Sequence, residues 1–209
     1  MRIYDYPGFP NPLRVRMALA EKGLTETVEF VLVDVPAGAH KQPEFLAKNS
    51  SGAVPVLELE DGTTIAECTA ITEYLDHLVG EPELTGRTPK ERALVHMMQR
   101  RAEAGVLDAV SAYFHHATSG LGSEIETYQN RDWGEKNRER ALAGMAYFDG
   151  VLEEQPYLAG DQFSMADITA YAGLAFADAV KLNMPSGCER LQLWRQRVAA
   201  RPATMAAAG

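Results

Sequence analysis

The pattern of apolar and polar positions changes character partway along the chain. In the first third, short apolar runs alternate with helix-like stretches. Arg2–Tyr6 reads as a strand, and Pro12–Lys22 reads as a helix stopped by Gly23, a residue suited to a left-handed C-terminal cap. Val28–Val35, rich in Val and Phe, predicts a second strand, and Pro43–Lys48 a short helix. Val54–Leu59 and Thr63–Ala66 form a hairpin around Asp61-Gly62. Cys68–Leu78 carries Ile71, Leu75 and Leu78 on one helical face. The order β-α-β and then β-β-α predicts a small mixed four-stranded sheet covered by helices.

After Gly80 the strand signals stop. Gly80–Arg87 reads as a linker. Thr88-Pro89-Lys90-Glu91 is a strong helix start, with an N-cap, a proline at the first helical position and a glutamate that completes a capping box. Helices are expected at Pro89–Ala117, Trp133–Glu154, Met165–Leu182 and Glu189–Ala200. Ala203–Gly209 is an Ala-rich tail. The organisation is therefore α/β over residues 1–80, then an all-α domain over residues 87–209.

Composition narrows the function classes. A chain of 209 residues can bury a real core as one large or two small domains. A net charge of −9 argues against nucleic acid as a partner. No apolar run is long enough to span a bilayer, so no membrane partner is expected. The first residues lack the apolar core of a secretory signal. The two cysteines, Cys68 and Cys188, lack CxxC spacing, which points to a reduced, cytoplasmic protein. His96, His115 and His116 share the long helix, but adjacent histidines point to different faces, and no metal is expected.

The candidate chemistry gathers in the first domain. Pro55 stands where a strand begins, as expected of a residue with no amide to donate to a ladder, and it is a candidate cis peptide. Val54 before it would turn its N–H and C=O outward, free to pair with an extended peptide. Glu67 and Cys68 open the following helix. Glu67 either complements the helix dipole or holds a substrate ammonium, while Cys68 meets a carboxylate. Asn11 reads as an N-cap ahead of Pro12, and the same helix start can face a bound anion and lower the pKa of a thiol there. His40-Lys41 is either a solvated loop or a basic clamp for a carboxylate. Together these groups suit a small zwitterionic peptide. Ser164–Asp167 is a second capping box, read as structural.

In combination these motifs resemble the cytosolic glutathione transferases over nearly the whole chain. Pro10–Arg16 with Ala20–Leu24 is similar to the first helix of bacterial members, and Asn49–Pro55 to their cis-proline loop. Glu67–Ile71 is similar to their γ-glutamyl motif, and Tyr157–Gly160 with Ser164–Asp167 to the signature of their helical domain. The resemblance implies a thioredoxin-like N-terminal domain, a helical-bundle C-terminal domain and a homodimer that uses glutathione as co-substrate in detoxification. It assigns Val54 and cis-Pro55 to the cysteinyl part of the tripeptide, Glu67 and Cys68 to the γ-glutamyl end, and His40 and Lys41 to the glycine carboxylate. Phe9 departs from the pattern, because many relatives carry a Ser there. Asn11 is similar to the asparagine that contacts the thiol in some bacterial members, so the resemblance implies Asn11 with helix-start amides, and Tyr6 second, as the thiolate's stabilisers. The implied reaction is attack of that thiolate on a small apolar electrophile lying near Phe9, Val106, Val110 and Tyr113. Glutathione-dependent disulfide or peroxide reduction is an alternative. A non-catalytic glutathione-binding module, suggested by Phe9, is another.

Overall fold

The computed structural model describes residues 1–208. It divides into two compact units, one formed by Met1–Pro82 with the chain from Pro202 onward, the other by Glu83–Arg201. The first unit holds β1 (Arg2–Asp5), α1 (Pro10–Glu21), β2 (Glu29–Leu32), α2 (Pro43–Leu46), β3 (Val56–Glu58), β4 (Thr64–Ile65) and α3 (Cys68–Leu78). The second holds α4 (Pro89–Ala102), a π-helical segment (Glu103–Leu107), α5 (Asp108–Ala117), α6 (Arg131–Glu154), α7 (Met165–Ala179) and α8 (Glu189–Ala199). α9 (Pro202–Ala208) returns to the first unit, where it packs on α1. The division expected at residues 87–209 is thus corrected at its end, and the Ala-rich tail is helical as far as Ala208.

The sheet order is β2-β1-β3-β4, with β1 parallel to β2 and the other pairs antiparallel. This is the mixed four-stranded sheet expected from the apolar pattern. Ile3 and Leu57 stand opposite each other in the ladder. They are fully buried, as are Val15 and Leu19 of α1 and Ile71 and Leu75 of α3. Burial of this kind contributes about 1.5–3 kcal/mol per large aliphatic side chain and fixes where α1 and α3 begin. A separate cluster of Val33, Phe45 and Val56 has Val54 packed against it. Between Gly80 and Arg87 the chain is no free linker: Leu84, Thr85 and Gly86 are buried, and the Leu84 carbonyl accepts from Met165 N–H.

In the second unit, the long helix expected from Pro89 to Ala117 is interrupted by the π-helical segment. Gly105 in that segment meets Gly144 of α6 so closely that a Cβ on Gly144 would lie 2.3 Å from the Gly105 carbonyl oxygen. Only glycine permits that approach. α7 ends earlier than expected, at Ala179, with Lys181 at φ 59° two residues beyond. Among the described residues, no helix is long and apolar enough to cross a membrane.

Candidate functional site

Of the sequence-predicted groups of the first unit, Asn11 and Cys68 meet where α1 and α3 start. Helix α1 begins at Pro10, with Phe9 in the N-cap position and no side-chain cap. Asn11 is therefore not the cap. It lies in the first turn, one residue inside, where its Oδ1 accepts from Arg14 Nη1 at 3.0 Å. Pro10 and Pro12 carry no N–H, and the Phe9 N–H donates to the Tyr6 carbonyl at 3.4 Å. Of the first four amides, only that of Asn11 is left to face an anion. The expectation of several helix-start amides is thereby reduced to one amide and the Asn11 side chain.

Helix α3 begins at Cys68, and Glu67 before it has no side-chain cap. Glu67 holds φ 67° and ψ 119°, a region that residues with a Cβ rarely occupy. It is exposed, so its carboxylate is available to a cationic group. Cys68 is buried, and its Sγ donates to the Asn11 carbonyl at 3.4 Å. The Arg14 guanidinium reaches across to Thr69 Oγ1 at 3.5 Å. These bonds tie the two helix starts together. Asp5, buried at the end of β1, holds Arg16 through two bonds of 2.7 and 3.2 Å and anchors α1 against the sheet.

The Val54–Pro55 peptide is cis. Ahead of it, Asn49 is buried and organises the loop: its Nδ2 donates to the Ala53 carbonyl at 2.8 Å, while its Oδ1 accepts from Ser51 N–H and Oγ. Val54 N–H and C=O pair with nothing among the described residues. His40 is buried, and its Nδ1 has no partner among the described residues. Burial first, and the neighbouring Lys41 charge second, hold its pKa below the usual value. The ring is therefore a neutral hydrogen-bonding group at neutral pH. Lys41 is exposed and reaches the Gly52 carbonyl at 3.3 Å. Tyr6 and Phe9 stack edge-to-face at 4.8 Å.

Three expected pocket residues belong to the second unit, and two of them are core. Val106 and Val110 are buried. A Cβ on Gly173 would lie 2.9 Å from Val106 Cγ1, so this side chain is committed to packing against α7. Their assignment to an open pocket is corrected, and Tyr113 alone of the three is half-buried. His115 and His116 make contacts inside this unit, His115 Nδ1 with Glu126 Oε1 at 2.7 Å and His116 Nδ1 with Asn130 N–H at 3.2 Å. Sequence reasoning passed over Arg14, Asn49 and Thr69. The three-residue spacing of Asn11 and Arg14 on one helix was the signal for the first. The Asn-Ser-Ser-Gly turn was the signal for the second.

Comparison with known proteins identifies the family. Residues 10–78 match the glutathione S-transferase N-terminal domain, and residues 96–202 match the glutathione S-transferase C-terminal domain. The chain is 61% identical over 202 residues to glutathione S-transferase 2 of Saccharomyces cerevisiae, covering 97% of this chain and 87% of that protein. The crystal structure of Gtt2 from Saccharomyces cerevisiae superposes with a TM-score of 0.97 at 60% identity, over 99% of this chain and 100% of that one. A glutathione S-transferase domain-containing protein of Marinobacter aquaeolei gives a TM-score of 0.96 at 59% identity, over 98% and 100%.

Proposed function

The chain belongs to the glutathione S-transferase family and is a glutathione transferase, and from that premise we propose that it binds glutathione along the α1 and α3 starts and directs its thiolate at a small apolar electrophile. The observation that carries this reading is the linked pair of helix starts, neither capped by a side chain and joined by the Cys68–Asn11 and Arg14–Thr69 bonds. Val54 offers its unpaired backbone to the cysteinyl residue beside Pro55. Exposed Glu67 takes the γ-glutamyl ammonium, and the start of α3 with Cys68 takes its carboxylate. His40 and Lys41 take the glycine carboxylate. Burial keeps His40 neutral, so Lys41 supplies the charge there and His40 a hydrogen bond.

The thiolate is held by Asn11 N–H and Nδ2, with the Tyr6 hydroxyl as second donor. Phe9 adds apolar surface beside them for the electrophile. Holding thiolate and electrophile together supplies the remaining rate through proximity. The protein acts as a cytoplasmic homodimer in detoxification, and Leu94 and Met97, exposed on α4, support an assembly that covers them.

Conjugation of glutathione to an aryl halide tests the reading. Asn11→Ala, with its circular dichroism unchanged, is expected to lower kcat/KM by about 10- to 100-fold, the worth of a hydrogen bond to a charged sulfur. Unchanged turnover in that variant would remove Asn11 from the mechanism.

A further inference from the structure

Arg14 is a buried cation, only 5% exposed, lying beside the site and touching no assigned part of the peptide. Its Nη1 donates to Asn11 Oδ1 at 3.0 Å and its Nη2 to Thr69 Oγ1 at 3.5 Å. A guanidinium has five N–H donors and no acceptor. The amide group of Asn11 can therefore face Arg14 only through its oxygen. Rotated by half a turn, it would set its NH2 against the Arg14 N–H and forfeit that bond. Asn11 Nδ2 has no partner among the described residues. We propose that Arg14 is a positioning residue that locks the Asn11 amide with its NH2 toward the ligand, so that Asn11 acts on the thiolate as a donor and never as an acceptor.

The fixed orientation matters because the two faces of an amide have opposite effects on an anion. A free Asn side chain samples both, and its oxygen would repel a thiolate as strongly as its NH2 attracts one. Arg14 removes the repulsive state. Its buried positive charge favours the anion as well, but that part acts without Asn11, and the two contributions separate in a double-mutant cycle. This inference rests on the reading of Asn11 as the thiolate's donor.

The experiment follows the thiolate absorbance of bound glutathione against pH in the wild-type protein, Arg14→Met, Asn11→Ala and the double variant. Arg14→Met is expected to raise the apparent thiol pKa by about one pH unit, a tenfold loss of thiolate at a given pH. In the Asn11→Ala background the same change is expected to have little further effect. Thr69→Val loosens the guanidinium while keeping its charge, and serves if Arg14→Met does not fold. It is expected to give a smaller rise in the same direction, again absent without Asn11. Equal rises in both backgrounds would overturn the orienting role and leave the transferase reading intact. No lowered thiol pKa in the wild-type protein would overturn both.

Discussion

The helices of the two units begin in different ways. In the second unit every helix that follows a loop has a first-turn amide paired with a side chain. Thr88 and Glu91 form a reciprocal capping box on α4, Asn130 accepts from Trp133 N–H on α6, and Ser164 and Asp167 form a second box on α7. On α8 the partner comes from another helix, because Asp149 of α6 accepts from Leu191 N–H at 2.9 Å. In the first unit α1 and α3 have no side-chain cap. An uncapped helix start gives up about 1 kcal/mol of stability and leaves a positive dipole end open to an anion. The contrast suggests a division of labour: the helix starts of the second unit hold the fold, and in the proposed function those of the first take glutathione. Substitutions at the two sets should therefore separate stability from binding.

The largest effect is expected at Asp167. Its fully buried carboxyl accepts from Leu158 N–H, Ser164 N–H and Oγ, and Trp194 Nε1. Asp167→Ala strands those donors and should cost about 3–5 kcal/mol in urea unfolding of the second unit. An unfolding midpoint close to wild type would break the claim that this cap carries the fold.

The same group makes stability depend on pH. Burial pushes its pKa up to about 6 against the pull of the four donors. The folded pKa lies above the unfolded one, so the folded state keeps a proton that the unfolded state has lost. The stability from this group is present at acid pH and falls as pH rises from about 4 to about 6, by about 2–3 kcal/mol. Urea midpoints of wild type and Asp167→Asn, measured across that window, should diverge in favour of wild type as pH falls. A constant difference would contradict the assignment.

Glu67 sharpens the comparison from the other side. Its positive φ costs an ordinary residue about 1–3 kcal/mol, which glycine avoids. Glu67→Gly should leave thermal stability equal or raised by about 1 kcal/mol, while glutathione Kd by calorimetry rises about tenfold with loss of the ammonium partner. A variant that lost stability and kept its affinity would reverse the roles assigned to α3 and the second unit. Thr88→Ala is the smallest effect. It should cost about 1 kcal/mol and leave glutathione affinity unchanged.

How much of this was legible in the sequence depended on how local each signal was. The bounds of α3 at Cys68 and Leu78 follow from apolar spacing, and the capping boxes at Thr88 and Ser164 from four adjacent residues each. The start of α1 did not follow, because Pro10 and Pro12 both suit a first turn whose amides have no intrahelical partner. The cap of α8 by Asp149 and the reach of Arg14 to Thr69 join residues far apart in sequence, with no periodicity to betray them. Val106 and Val110 were placed in a pocket by resemblance, and their burial depends on packing partners distant in sequence, such as Gly173 of α7 against Val106, which no local pattern reveals. The tail from Pro202 showed only its alanines, and Thr204, buried in α9, carries no helical stripe by itself.

The central claim is that the uncapped start of α1 activates sulfur without a hydroxyl at Phe9. The most direct test is a near-ultraviolet difference spectrum of glutathione bound to the wild-type protein, taken from acid to mildly alkaline pH. The account expects a saturable thiolate band whose midpoint lies at least about one pH unit below that of a free thiol. Saturable binding with the thiol still protonated at neutral pH would contradict it, and would leave a protein that holds glutathione without activating it.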